Sequence, residues 1–160
     1  MSLPAYLFLY DENGVQITGE CTAPGREGAI EVMNSSYSIN QGVDSHTGSM
    51  TGTRQHSPFK IHKQLDKTSP WFAVAICESK RLQKAIIKYY EIKEAGIETE
   101  IYRVTLDSVV IMSVDFTHVY YPGSSAPNMH EVIGLRSRAI EWNYIAGNIR
   151  YDDAWNKSRQ

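Results

Sequence analysis

Two segments in the second half of the chain set the strictest limit on its fold. In KAIIKYYEI both alternating sets of side chains are partly apolar: Ile86, Tyr90 and Ile92 on one side, Ala85, Ile87 and Tyr89 on the other. VVIMSV is apolar throughout. An antiparallel strand covering one core alternates apolar with polar, whereas a strand buried on both faces need not. With only one helical segment elsewhere, little within the chain is available for the second face. The pattern therefore predicts that a neighbouring subunit covers it.

The remaining segments fit a β-rich plan. PAYLFLY is aromatic and strand-like, and in DENG the Asn13-Gly14 pair supplies the positive φ angles of a tight hairpin turn. VQITGE is the returning strand, and GREG turns the chain into AIEVMNSSYSI. PFKIHKQLD alternates, with Phe59, Ile61 and Leu65 on one face and Lys60, His62 and Gln64 on the other. KAIIKYYEI and IETEIYRVTL flank the turn KEAG, and SVVIMSVDF follows Asp107. After YPGSSAPN come HEVIGLRSRAIEWNYI, the turn AGN and IRYDDAW. The one helix begins with Ser69 as N-cap and Pro70 at the first helical position. Trp71, Val74 and Ala75 share one of its faces, and Phe72 and Ile76 a neighbouring one, so this helix should be covered on two sides. Turn signals every 8–15 residues around one short helix indicate a barrel or sandwich.

The 160 residues suit a single domain, 1–160, with a core of its own. Ten tyrosines favour strands and subunit interfaces. A net charge of −2 lacks the basic surplus of a nucleic-acid binder. The densest basic run, KRLQK at 80–84, reads as a solvated helix end favoured by the dipole. Nucleic acid is therefore not an expected partner. No basic residue precedes Arg26, so a charged signal-peptide n-region is absent, and the apolar run from Leu3 to Tyr10 is too short to span a bilayer. Neither membrane insertion nor ordinary export is expected. Cys21 and Cys77 form no disulfide framework, and Cys77 reads as a small buried hydrophobe.

No constellation reads as a catalytic centre. His46, His56, His62, His118 and His130 have no metal-ligand spacing, and Pro58 breaks the strand that would align His56 with His62. Serine, cysteine, histidine and aspartate occur without a nucleophile signature. Glu98 and Glu100 alternate with Thr99 on a polar strand face. No catalytic residue, cofactor or metal is expected. Two other readings remain at this point: a monomeric β-barrel binding a small ligand, and a hydrolase assembled from dispersed His, Asp and Cys around His56 or His118.

The long polar stretch NQGVDSHTGSMTGTRQHSPF interrupts the strands, and loops of this length are usually functional or disordered. Taken in order, PAYLFLYDENG, GREGAIEV, TGTRQHSPF, SPWFAVAIC, VTLDSVVIMSV and AIEWNYIAGNIRYDDAW resemble the Hcp (haemolysin-coregulated protein) family, the tube subunit of bacterial type VI secretion systems. The resemblance covers nearly the whole chain and implies a mainly β fold: a two-sheet β-barrel with one flanking α-helix, akin to phage tail-tube proteins. It implies a homohexameric ring with an open centre, and rings stacked into a tube within contractile sheath proteins. It further implies a VgrG-type spike protein at the tip and secreted effectors in the lumen. Such a protein is cytoplasmic before assembly and then leaves through the type VI apparatus without a signal peptide. Within that picture the loop from Gln41 to Ser57 reaches the adjacent ring or subunit, with Thr51, Arg54, Gln55, His56 and Ser57 as contact residues. The alternative is that Arg54 to Pro58 anchor the loop's return into the sheet. The segment MNSSYSINQG, 33–42, matches the family least. The end at DDAWNKSRQ leaves no room for the C-terminal toxin domain of some members, so enzymatic activity is not expected.

Overall fold

The structure is a computed structural model that describes residues 3–125 and 128–154. Trp155, at the end of the last expected strand, lies outside the described residues. The elements are β1 (Ala5–Tyr10), β2 (Gln16–Ile17), β3 (Ile30–Val32), β4 (Asn34–Ser36), β5 (Ile39–Asn40), β6 (Gln55–His56), β7 (Phe59–Gln64), α1 (Ser69–Cys77), β8 (Arg81–Ile92), β9 (Glu98–His118), β10 (Met129–Tyr144) and β11 (Ile149–Ala154). Nine strands form one sheet in the order β2-β1-β8-β9-β10-β7-β4, with β3 added to β1 and β11 to β10; β5 and β6 form a separate ribbon. Only Met33 separates β3 from β4, and its amide donates to the His62 carbonyl at 2.8 Å. Residues 30–36 thus pass from β1 to β7, and the sheet curls back upon itself around one core. This is the expected mainly β fold with one flanking helix.

The long strands reach around the core by breaking their alternation. Core residues on β8 run Leu82, then Ala85 and Ile87; on β9, Val104 and Leu106, then Val109 and Ile111; on β10, Ile133 and Leu135, then Ile140. Each series skips one position out of step. The pairings Leu82↔Val109↔Ser137 and Ala85↔Leu106↔Ile140 put all three breaks on one line across the sheet. Ser108 sits on that line with φ 56°. A second shift follows at Gly134, opposite a bulge that turns Met112 outward while Ile111 and Val114 still pack on the core. Gly134 lies close to its partner strand there, and an added Cβ would displace the Ser113 hydroxyl. SVVIMSVDF is therefore not a separate strand but the second half of β9, and its unbroken apolarity reflects these shifts.

Part of the second face of β1 and β8 is sheltered by the chain itself, which narrows the expectation that a neighbouring subunit covers it, while Ile92 stays exposed. Tyr6, Phe8 and Ala29 form a small buried cluster with Tyr10, Cys21, Ile86 and Tyr90 against it. The strap between β2 and β3 supplies Cys21 and Ala29. Arg26 fastens it, its guanidinium lying 4.9 Å from the Tyr6 ring centre and 4.7 Å from that of Tyr90 while pairing with Glu98.

The helix is shorter and differently capped than the sequence indicates. Thr68 stands at the N-cap without a side-chain cap bond, and the helix closes at Cys77 with Glu78 beyond it. Ser79 then takes φ 53° and the chain enters β8, so KRLQK leads into and opens a strand and is not a helix end. Phe72 and Ala75 face the core, Trp71 and Ile76 are partly buried against it, and Val74 is exposed. This chain covers one side of the helix. Leu65, expected on the core face, lies past the end of β7 and is exposed, and Cys77 is likewise exposed. In the first hairpin only Gly14 of the Asn13-Gly14 pair has positive φ.

Candidate functional site: an anchored arm

The polar stretch between β5 and β6 is a projecting hairpin rather than a structureless loop. Ile39 pairs with His56 and Asn40 with Gln55; farther out, Val43 bridges Met50. At the tip, the Asp44 carboxylate accepts the amides of His46 at 2.8 Å and Thr47 at 3.1 Å. Those bonds hold its carboxyl below the ordinary carboxylate range. Gly48 turns the chain with φ 74°. Ile39, Val43 and Met50 are exposed along this arm, Met50 by 68%. Thr51 and Gln55, two of the five expected contact residues, are exposed as well.

The other three lie at its root. Arg54 forks onto Asp153, with Nε donating to Oδ2 at 2.5 Å and Nη2 to Oδ1 at 2.6 Å; Nη2 also reaches the Ala154 carbonyl at 2.9 Å. His56 Nε2 lies 2.7 Å from the same Oδ2. The Ser57 hydroxyl accepts the Ser38 amide at 2.7 Å, and the Ser57 amide donates to the Ser38 carbonyl at 2.8 Å. Around them the rings of Phe59, Tyr37, Trp142 and Tyr151 stack in sequence, with centroids 5.1, 6.3 and 5.8 Å apart, and His56 lies 6.2 Å from Trp142. Asp153 is 5% exposed. The Arg54 fork, aided by His56, outweighs burial and holds the Asp153 carboxyl down at about 2. Arg54, His56 and Ser57 thus occupy the anchoring positions that the sequence left as the alternative to a subunit contact.

Sequence reading missed Asp153, the acceptor that gathers this root. Its signal was slight: it follows another aspartate, Asp152, which points the opposite way and is exposed. A second cluster was also missed. Lys63 is wholly buried, with Nζ 2.5 Å from Glu131 Oε1, 3.0 Å from Asp66 Oδ1 and 3.1 Å from the Gln64 carbonyl. The Ser69 hydroxyl, expected to cap the helix, instead donates to Glu131 at 2.5 Å and accepts from Lys63 and from the Asp66 amide.

The geometry bears on the two other readings. The barrel interior is filled by Leu7, Leu9, Ile61, Ile87, Leu106 and Ile133, and the recess beside His56 has a volume of about 20 Å³, room for about one water molecule. His56 does meet an acid, Asp153. The neighbouring Ser57 hydroxyl, however, accepts from Ser38 and donates to the Pro58 carbonyl at 3.3 Å. Among the described residues no three His, Cys, Asp or Glu side chains gather as a metal-ligand set, and no helix is long and apolar enough to cross a membrane.

Comparison with known proteins places this arrangement in context. Residues 6–144 match the family model described as type VI secretion system effector, Hcp. Among solved structures, a variant of Hcp1 from E. coli EAEC 042 superposes with a TM-score of 0.87 at 35% identity, covering 96% of this chain and 99% of that one. A protein solved simply as Hcp gives 0.88 at 18% identity, covering 98% of this chain and all of the other. Secreted protein Hcp3 from Pseudomonas aeruginosa gives 0.72 at 21% identity, with 98% and 100% covered. No curated protein sequence matches.

Proposed function

The chain belongs to the Hcp family of type VI secretion proteins, and on that premise we propose that it is a tube subunit whose copies close into six-membered rings. Head-to-tail contacts that close make a ring, and a second contact across the face of that ring repeats along an axis. The arm supplies the second contact. The observation that carries this reading is its construction: it is pinned at the root by Arg54, His56 and Ser57 and presents Ile39, Val43 and Met50 to the outside. Thr51 and Gln55 lie on the presented part, and Val74 is an exposed apolar residue on the helix. Stacked rings form a tube that carries effectors in its lumen, bears a VgrG-type spike and lies within contractile sheath proteins. The subunit is cytoplasmic until assembly and is expelled with the tube. Its role is structural, without chemistry of its own.

Native mass measurement and electron microscopy of the purified protein test this reading. A six-subunit species and annular particles are expected; a strictly monomeric protein at high concentration would overturn it.

A further inference from the structure

We infer that Asp153 is the positioning residue of the arm, so that the C-terminal strand sets the pose in which residues 41–53 are presented. The ribbon at the arm's root has two residues per strand, and an isolated two-stranded hairpin is marginal in water. Its orientation must come from elsewhere. β10 is paired by β7 up to Leu135 and by β11 from Ala139 onward. Arg54 and His56 bind Asp153, which pairs with Ile140 at the near end of β11. One carboxylate takes the guanidinium fork and the imidazole, and the Ala154 carbonyl takes a third bond from Arg54. Charge-assisted, bidentate bonds of this kind fix angle as well as distance. A point contact would leave the ribbon free to swing; a fork does not.

The inference rests on the tube reading only for its consequence in assembly, since the latch belongs to a single chain. Asp153→Asn removes the charge with almost no change of shape. Hydrogen exchange of this variant should show the amides of Ser38, Thr51 and Ser57 exchanging at least about tenfold faster, while those of Leu106 and Ile133 keep their rates. Arg54→Gln leaves the sequence of β11 unchanged, should give the same local acceleration, and serves if Asp153→Asn fails to fold. Combining the two should add nothing further. Unchanged arm exchange, or acceleration spread equally through the barrel, overturns the inference. Loosened arms in rings that still stack uphold the latch and instead overturn the stacking role of the arm.

Discussion

Lys63 and Arg54 are both cations fastened by carboxylates, yet they hold different things. Lys63 is sealed beneath the helix, touches Glu131, Asp66 and Ser69, and joins α1 to β7 and β10. Arg54 lies at the rim, its side chain 22% exposed, and joins a projecting ribbon to the last strand. Removing either cation strands a buried carboxylate, which is costly; the two sites differ in which elements their partners join. The inner cluster therefore specifies the barrel, and the outer one specifies the arm.

The largest test of that contrast is Lys63→Met, which leaves Glu131 buried without its cation. A loss of about 3–5 kcal/mol is expected in chemical denaturation, and a loss below about 1 kcal/mol would make the two clusters equivalent. Arg26→Gln comes next. It removes a cation lying between Tyr6 and Tyr90, and about 1–2 kcal/mol should go with it. Protection of the Cys21 and Ala29 amides should fall more than that of β9; an equal fall would mean that the strap is not a separate unit. The last effect is confined to acid. The Asp153 carboxyl is lowered from 3.8 to about 2, so its stabilising contribution is complete above about pH 4 and lost as the pH falls through about 2. A carboxyl-carbon titration by NMR should place its midpoint well below 3.8, and a midpoint at or above 4 would dissolve the latch as described.

Most of the strand plan was legible because alternation and turn residues act locally. The path β8 to β11, the helix near Ser69 and the Gly14 hairpin follow from such signals. What was not legible lies where distant strands act on one another. Met112 looks like an ordinary member of an apolar run and Ser108 like its polar start; only their partners reveal that the in-and-out alternation breaks at Ser108 with register kept, while register itself shifts by one at Met112. Read without those shifts, VVIMSV demands cover on both faces; read with them, Val109, Ile111 and Val114 all face one core. The strap was hidden for the same reason, because nothing local says that residues 18–29 lie on Tyr6 and Tyr90. Lys63 was within reach, since it has the parity of Phe59 and Ile61, and a lysine at that position calls for a carboxylate inside. The arm's root was half visible: TGTRQHSPF advertised donors, while their acceptor lay 99 residues away.

The line through Gln83, Ser108 and Arg138 has a mechanical consequence. Because β8, β9 and β10 run unbroken across it, the two sides of the wall are joined by covalent backbone, not by contact between separate sheets. They cannot be peeled apart under tension one hydrogen bond at a time. The two ladders that join these three strands must slip together, so a subunit of this design resists a pull with little give and fails abruptly.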